Sequence, residues 1–231
     1  MTRGITTEVL RRVVLRACDS LEACAPELNS LDARLGDGDL GTSLAAIARG
    51  LRAKSDEFPD DDVGAFLAQV VAVIGATSGS SFSAVAMTGL HRAARETKGR
   101  SDVPWVELSG LLELGLGAMQ ARGGAKLGDK TVLDGLAAIA AALSQKPDRT
   151  AFSASANEAL AASLEEFRGK PSRVGRARLA GRRSVGHDDP GMVALKRVVE
   201  GNVSPECPAA DQEVKAPTPA DSEPDHKETV T

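Results

Sequence analysis

Aromatic residues are scarce in this chain of 231 residues. Aromatics make up 3 % of it, with one Trp, five Phe and no Tyr. Aromatic side chains are among those that strands favour, so their scarcity, together with abundant Ala and Leu, favours helices. The apolar content of 42 % is still sufficient for a sizeable core. We therefore expect an all-α protein.

Cysteine and long apolar runs are also in short supply. Cys18, Cys24 and Cys207 are odd in number and lack the spacing of a metal site, so a disulfide framework is not expected. Reduced thiols are typical of the cytoplasm. No segment has the length of a membrane span or the continuous apolar stretch of a signal peptide. The sequence thus predicts a soluble cytoplasmic protein that needs no membrane.

The formal charge of −4 is unevenly distributed. Residues 203–231 contain seven acids, two lysines and five prolines, which predicts a disordered tail after a folded domain at 1–202. The domain itself has 26 basic and 25 acidic residues. A nearly neutral body argues against nucleic acid as a partner.

Apolar residues recur at helical spacing in about eight or nine segments, and no segment alternates convincingly like a strand. The first predicted helix begins at Thr7, and a second begins around Pro26 and leads towards Asp32. Asp60, Asp61 and Asp62 directly precede another apolar segment. We interpret them as a helix cap rather than a metal site.

Three aspartates, Asp32, Asp37 and Asp39, lie within eight residues among several glycines. Ionised carboxylates this close repel one another unless a cation lies between them. Mg²⁺ prefers such oxygen ligands, usually together with substrate phosphates. The alternation of Asp37 and Asp39 around Gly38 predicts that both side chains lie on one side of an extended loop. An ordinary turn with a helix cap is the alternative.

Four interruptions between the helices combine glycine with small polar residues at a helix start. They are the acidic loop, the Thr77-Ser78-Gly79 loop within an interruption at 75–81, the segment from Gly123 to Thr131, and Asp189 to Gly191. Helix starts of this kind bind phosphate, because N–H groups and glycines allow close approach. None matches the P-loop or the dinucleotide-binding pattern. Together with the three aspartates, they favour a Mg²⁺ and phosphate site at one end of a helical bundle.

The same motifs follow one another in a fixed order. They are Leu31-Asp32 with Gly36-Asp37-Gly38-Asp39-Leu40-Gly41, Gly75 to Gly79, Gly123 to Thr131, and Gly175 to Gly191. As a set they resemble the L subunit, or L domain, of dihydroxyacetone kinase, and the likeness covers residues 7 to 202. The resemblance implies a barrel of eight antiparallel amphipathic helices with a nucleotide at one end.

The resemblance also implies which residues would form the site. Asp32, Asp37 and Asp39 would hold two Mg²⁺ ions that bridge the phosphates of ADP or ATP. Residues expected to contact the nucleotide are Leu40, Gly41, Thr42, Ser43, Thr77, Ser78, Gly123, Val132, Arg176, Asp189, Pro190 and Gly191. No residue is assigned a certain catalytic role, although Arg176 is a candidate. The chain would supply the phosphoryl group to a ketose held covalently by a separate K-type subunit.

Several alternatives stay open at this point. The phosphoryl source is either exchangeable ATP or tightly held ADP recharged by a phosphotransferase-system partner. The ketose has three or four carbons, and a homodimer is neither indicated nor excluded. Leu40 stands where the family usually has His, and Gly79 to Ser83 replaces the usual Gly-Pro-Leu-Phe/Tyr-Gly. Leu40 and the acidic tail motivate a second hypothesis, a nucleotide-binding regulatory or sensor subunit without catalysis.

A basic stretch precedes the last helix. It contains Arg168, Lys170, Arg173, Arg176, Arg178, Arg182 and Arg183, and no acid. Three interpretations are open for it: contact with nucleotide phosphate, docking of an acidic K-type partner, or a solvated loop. Arg176 favours the first, because it falls on a family position. For His187 we expect a role in fixing the following turn rather than a role as a base.

Overall fold

Nine α-helices account for most of the described part of the chain, residues 4–144 and 149–203 of a computed structural model. They are α1 (Thr7–Ala23), α2 (Ala25–Leu35), α3 (Leu40–Lys54), α4 (Val63–Thr77), α5 (Ser81–Glu96), α6 (Leu108–Gly123), α7 (Val132–Leu143), α8 (Arg149–Arg168) and α9 (Pro190–Val203). Three 3₁₀ segments, Ser55–Glu57, Trp105–Glu107 and Arg176–Ser184, lie between them. The all-α prediction is confirmed. Cys207 and the predicted tail, from residue 204 onwards, lie outside the described residues.

Eight of the nine described helices form a closed ring. α1 packs on α3, the helices α4 to α9 follow in chain order, and α9 returns to pack on α1. α2 lies outside this order and contacts both α3 and α9. The arrangement agrees with the expected eight-helix barrel, and it leaves α2 to carry the acidic loop to the start of α3.

The start of α4 lies against the end of α5, so these two neighbours run antiparallel. The Asp62 carboxylate accepts the N–H of Ala65 and that of Gly99, at 2.9 Å each. Val63 N donates to the Arg100 carbonyl at 2.8 Å. The interpretation of Asp62 as a helix cap is therefore confirmed, and one carboxylate serves both the helix start and the neighbouring turn.

Two very short strands supplement the helices. β1 (Ile5–Thr6) and β2 (Asp102–Val103) are antiparallel, with Ile5 opposite Val103. A pair of two-residue strands is too short to show alternation in the sequence, and it leaves the all-α class unchanged. Val103 is fully buried, so this pair fastens the N-terminal segment to the connection between α5 and α6.

The main core lies where α1, α2, α3, α4, α8 and α9 meet. Leu28 of α2, Phe66 of α4 and Met192 of α9 are completely buried in it. Cys18 and Cys24 are buried free thiols, and burial raises the pKa of Cys18 to about 11. Such a thiol is chemically inert. Among the described helices, none combines the length and the apolar content required to cross a membrane.

Candidate metal and phosphate site

The three aspartates of the acidic loop come together. One carboxylate oxygen from each of Asp32, Asp37 and Asp39 lies within 4.8 Å of the other two. Opposite oxygens around a six-coordinate Mg²⁺ are about 4.2 Å apart, so the spread of the three oxygens is on the scale of a divalent ion. The donor set consists of hard anionic oxygens, which are the ligands that Mg²⁺ prefers.

Asp32 organises the loop around itself. Its Oδ2 accepts the backbone N–H groups of Gly38, Asp39 and Leu40 at 2.9, 3.0 and 3.3 Å. Gly38 has a left-handed φ of +79°, which lets the chain reverse over the Asp32 carboxylate. The prediction of an extended Asp37-Gly38-Asp39 loop is thus wrong, because hydrogen bonding to Asp32 favours a tight turn over an extended chain. The carboxylates converge through this turn.

The start of α3 packs directly on α2. A Cβ added at Gly41 would overlap the carbonyl oxygen of Ala25, so the two helix backbones touch at this point. Asn29 reinforces the contact, since its Nδ2 donates to Thr42 Oγ1 at 2.9 Å and its Oδ1 accepts Thr42 N–H at 3.0 Å. Ser43 N donates to the Asp39 carbonyl at 2.9 Å. The acidic loop is therefore held from both flanking helices.

A basic segment crosses from the end of α8 to the acidic loop. We call residues 169–185 the strap. It contains the 3₁₀ segment Arg176–Ser184, which packs on α2. Within it, the Arg176 guanidinium forms an ion pair with the Asp37 carboxylate, and both side chains are exposed. The strap therefore brings one basic side chain to the aspartate cluster. Contact of Arg176 with nucleotide phosphate stays a prediction, and the structure places this side chain beside Asp37.

The starts of three further helices meet at one point. Gly191, in the first turn of α9, is so close to its neighbours that an added Cβ would lie 3.0 Å from the Phe82 ring and 3.5 Å from Val132 Cβ. Phe82 belongs to the first turn of α5, and Val132 is the first residue of α7. Pro190 is buried as the first residue of α9. Three positive helix ends therefore lie together.

Asp189 caps α9 at this junction. Its Oδ1 accepts Met192 N–H at 2.8 Å. Burial raises the pKa of Asp189 to about 7, although the hydrogen bond from Met192 and the charge of Lys130 oppose this rise. The negative charge of Asp134 acts in the same direction as burial. Asp189 is consequently a carboxyl group that changes charge near neutral pH.

A family comparison decides what kind of chain this is. The family described as the DAK2 domain matches residues 34–204. The chain belongs to the DAK2 domain family. The match includes Asp37 and Asp39 and all the helix starts described above.

Curated relatives of this DAK2 domain agree with the dihydroxyacetone kinase L-subunit resemblance. It is 30 % identical over 177 residues to the "PEP-dependent dihydroxyacetone kinase, ADP-binding subunit DhaL" of Escherichia coli, covering 73 % of this chain and 82 % of that protein. A similar protein of Listeria innocua, "PEP-dependent dihydroxyacetone kinase 2, ADP-binding subunit DhaL", is 31 % identical over 175 residues, with coverages of 71 % and 78 %. Human "Triokinase/FMN cyclase" is 29 % identical over 206 residues, covering 85 % of this chain. The chain spans about a third of that larger protein, 35 %.

Solved structures support the fold of the DAK2 domain. The native dihydroxyacetone kinase of C. freundii superposes with a TM-score of 0.69 at 22 % identity, covering 88 % of this chain and 35 % of that one. The same enzyme in complex with AMP-PNP and Mg²⁺ superposes with a TM-score of 0.66, also at 22 % identity. That superposition covers 88 % of this chain and 34 % of the other chain. The closed helical ring is therefore an established architecture.

The serine loop of the DAK2 domain is shorter than its sequence suggests. Helix α4 continues through Gly75 and Ala76 to Thr77, and only residues 78–80 are irregular before α5. The predicted interruption at 75–81 is wrong at its start, because a helix propagates cheaply through small residues when its apolar face is buried. Thr77 Oγ1 donates to the Val73 carbonyl at 2.7 Å and lies against Gly50, midway along α3. Thr77 is thus not at the start of a helix.

Ser78 has a different environment from Thr77. Its Oγ accepts from Ser83 Oγ at 2.9 Å and from Ser80 N at 3.3 Å. Ser80 caps α5 by accepting Ser83 N–H at 3.1 Å. The three hydroxyl groups form a small polar cluster at the start of α5, two residues from Phe82. Ser78 therefore lies in the same region as the junction of helix starts.

Gly123 is the last residue of α6 and not part of a helix start. It is followed by the left-handed Gly124, with φ +67°, which ends the helix. Gly123 contacts Val85 of α5, since an added Cβ would lie 3.2 Å from Val85 Cγ2. Because α5 and α6 are neighbours in the ring, Gly123 lies on the wall beside the junction.

At each of these helix starts of the DAK2 domain, side chains occupy one or two of the N–H groups. Asp32 and Asn29 cap α3, Ser80 caps α5, Thr131 and Asp134 form a capping box on α7, and Asp189 caps α9. Capping satisfies the donors but leaves the positive dipole ends in place. Sequence reasoning missed Asn29, because nothing in the local pattern links it to Thr42, thirteen residues later.

Proposed function

We propose that this chain is the nucleotide-binding, phosphoryl-donor subunit of a kinase for dihydroxyacetone or a related short ketose. The observation that carries the proposal is the cluster of Asp32, Asp37 and Asp39 with its three oxygens within 4.8 Å. Relatives of similar length are named as ADP-binding subunits of dihydroxyacetone kinases. A kinase with a similar fold is known in complex with AMP-PNP and Mg²⁺.

The three aspartates would hold Mg²⁺, and by family resemblance two ions, against the phosphates of ADP or ATP. Bound Mg²⁺ would neutralise charge that develops on the transferred phosphoryl group. The positive ends of α5, α7 and α9 add a favourable potential for the phosphates. Leu40 to Ser43, Ser78, Val132 and Asp189 to Gly191 are proposed nucleotide neighbours. Thr77 and Gly123 are assigned to the outer wall of the site.

Arg176 has a defined part in this proposal. Its guanidinium forms an ion pair with the Asp37 carboxylate. A phosphate group with its own negative charge offers Arg a bidentate partner at least as strong as a carboxylate. We assign Arg176 to the phosphates when nucleotide binds and Mg²⁺ takes over Asp37. Positioning and electrostatics then account for transfer, and no base from this chain is required.

The ketose is assigned to a K-type partner subunit. The matched relatives include a subunit named by its ADP-binding role, and the chain spans only about a third of the longer relatives. A phosphotransferase-system protein that recharges held ADP is the proposed phosphoryl source, with exchangeable ATP as the alternative.

Two measurements test this function. The purified chain is first denatured, and any released nucleotide is identified by mass spectrometry. Tightly held ADP supports the recharged-cofactor mode, whereas an empty chain that binds Mg²⁺ and ATP reversibly supports exchange. The chain is then combined with a K-type subunit and dihydroxyacetone, and phosphorylated ketose is measured. Failure to bind either nucleotide in Mg²⁺ overturns the proposal.

A second candidate function rests on Leu40. Its apolar side chain packs against the main core at the start of α3, where the family usually has a histidine. A regulatory or sensor subunit would bind nucleotide without transferring a phosphoryl group. Nucleotide binding with Mg²⁺ but no turnover with a K-type subunit supports this alternative, and turnover excludes it.

A further inference from the structure

Lys130 is a buried cation in the loop that leads into α7. Its side chain is 1 % exposed. Its ammonium group donates to the carbonyl oxygens of Lys170 and Ser184 at 2.8 Å each and approaches that of Arg168 at 3.4 Å. Lysine is almost never fully buried without such compensation. The three acceptors all belong to the two ends of the strap or the residue before it.

The backbone around Lys130 has an uncommon conformation, and the Lys130 side chain is directed inwards. Lys130 has a left-handed φ of +63°, which is uncommon for a residue with a side chain. Gly128 before it is also left-handed, with φ +95°. Asp134 stabilises this path, since its Oδ1 accepts Gly128 N–H at 2.6 Å and its Oδ2 accepts Thr131 N–H at 2.8 Å. The hydrogen bonds to Asp134 thus stabilise the loop conformation that places the Lys130 ammonium group.

The two ends of the strap are joined at the same place. Gly186 N donates to the Arg168 carbonyl at 2.8 Å. Ser172 N donates to Ser184 Oγ at 2.8 Å. The strap is therefore a closed loop of the Ω type, and the Lys130 ammonium lies at its neck between the carbonyl groups of the two ends. At the far side of the loop, Arg176 contacts Asp37.

We propose that Lys130 is a positioning residue, which fastens both ends of the strap so that Arg176 stays over the aspartate cluster. The role of Arg176 rests on the proposed nucleotide function. The contact of Lys130 with both ends of the strap does not depend on that function. Without the ammonium group, the Lys170 carbonyl oxygen would lose its donor, whereas the carbonyl oxygens of Arg168 and Ser184 would keep the N–H groups of Gly186 and His187 at 2.8 and 3.3 Å. The freed acceptor positions would seek water, and the neck would open.

Charged groups surround Lys130 in the neck. Burial lowers the pKa of Lys130 and the charge of Arg168 acts in the same direction, whereas the charges of Asp189 and Asp188 oppose the fall. Arg168 is itself neutralised by Asp188, with Nε and Nη2 donating to the two carboxylate oxygens at 2.9 and 3.0 Å. Removing the Lys130 cation therefore changes the electrostatic environment of Asp188 and Asp189 as well as the hydrogen bonds of the neck.

The fastening is tested by proteolysis of the full chain with a protease that cleaves after arginine. The strap offers exposed cleavage sites at Arg176, Arg178, Arg182 and Arg183. Replacing a lysine outside the strap by methionine leaves these arginines unchanged. We expect strap cleavage in Lys130→Met to be about tenfold faster than in the wild type. Lys126→Met makes the same chemical change at an exposed position of the same loop, and it should cleave at the wild-type rate.

A second measurement distinguishes positioning of Arg176 by Lys130 from a general contribution of Lys130 to stability. Affinity for Mg²⁺ and ADP is measured for the wild type, Lys130→Met, Arg176→Gln and the double variant. If Lys130 acts through Arg176, each single change weakens binding by about tenfold, and the double variant is no weaker than Arg176→Gln alone. If Lys130→Met weakens nucleotide affinity by the same factor in the wild type and in Arg176→Gln, Lys130 does not act through Arg176, and the positioning role is overturned.

The two proposals fail in distinguishable ways. If the wild type does not bind nucleotide, the proposed function and the role of Arg176 both fall, whereas the proteolysis still decides whether Lys130 fastens the strap. If Lys130→Met does not fold, Ser184→Ala replaces it, because it removes the hydroxyl that accepts Ser172 N–H and donates to the Gly181 carbonyl but keeps the Ser184 carbonyl that Lys130 contacts. Faster strap cleavage in Ser184→Ala supports the neck arrangement, and wild-type cleavage in a folded variant overturns it.

Discussion

Glu27 of α2 and Arg197 of α9 are joined by two parallel hydrogen bonds. Arg197 Nε donates to Oε2 at 2.8 Å, and Nη2 donates to Oε1 at 2.6 Å. The hydrogen bond from Arg197 holds the pKa of Glu27 below its usual value. The pair links α2, whose far end carries Asp32, to the ring helix whose start carries Asp189.

We expect Glu27→Gln to lower the free energy of unfolding by less than about 1 kcal/mol, because the pair is partly exposed to solvent. Since the folded pKa is lowered, the contribution is present above the normal glutamate pKa and is lost as the pH falls through the lower, folded value. Urea unfolding of both proteins at pH 7 and pH 3 measures this. A difference that grows on acidification would contradict the assignment.

Asp32 and Asp37 should respond differently to substitution. Asp32→Ala removes the acceptor of three backbone N–H groups, so we expect a loss of about 1–2 kcal/mol in stability together with loss of Mg²⁺-dependent nucleotide binding. Asp37→Asn should abolish that binding with little change in stability, because Asp37 is exposed. Denaturation and calorimetric titration of the two variants distinguish these outcomes. Unchanged nucleotide affinity in Asp37→Asn would remove it from the metal site.

Gly41 should not tolerate a side chain. Gly41→Ala places a methyl group in the space of the Ala25 carbonyl oxygen, so α3 must shift away from α2. We expect a loss of about 1–3 kcal/mol, as is usual for overpacking, and weaker metal binding, since the shift separates Asp32 from Asp39. Thermal unfolding measures the first effect.

Gly110→Ala is the matched control for Gly41→Ala. Gly110 lies inside α6, and nothing lies within 4 Å of an added Cβ there. Alanine at this position should stabilise the helix by about 0.5–1 kcal/mol. Equal effects at the two positions would mean that backbone contact between α2 and α3 is not the cause.

Asp189 should give the protein a distinctive pH dependence. Its pKa is raised to about 7, mainly by burial, so the folded chain binds the proton more tightly than the unfolded chain does. The favourable contribution is therefore complete below the normal aspartate pKa, and it is lost as the pH rises from about 4 to about 7. Asp189→Asn keeps the oxygen that caps α9 but cannot ionise.

Comparison of unfolding midpoints for wild type and Asp189→Asn between pH 4 and pH 8 measures this contribution. Other titrating groups are common to both proteins, so only Asp189 affects the difference. We expect the variant to gain stability relative to the wild type as the pH rises. A difference that is constant over this range would contradict the raised pKa.

The sequence by itself determined the helices and most of their ends. The start of α1 at Thr7, the Pro26 helix and the Asp62 cap follow from apolar spacing and capping, which depend on neighbours within about four residues. The errors were also local in origin. The sequence pattern did not reveal that α4 continues through Gly75 and Ala76, because burial of its apolar face outweighs the weak propensity of small residues.

Only the tertiary structure decided how the site is assembled. Asp37 meets Arg176, Gly191 fits between Phe82 and Val132, and Lys130 holds the strap, although the members of each set are far apart in sequence. Such contacts depend on the closing of the helical ring, which no periodicity specifies. The three aspartates could be found from their spacing, but their convergence depends on a left-handed Gly38 and on hydrogen bonds to Asp32. The sequence therefore identified the three aspartates as candidates, and the packing of α2 on α3 and of the strap on α2 gave them their arrangement.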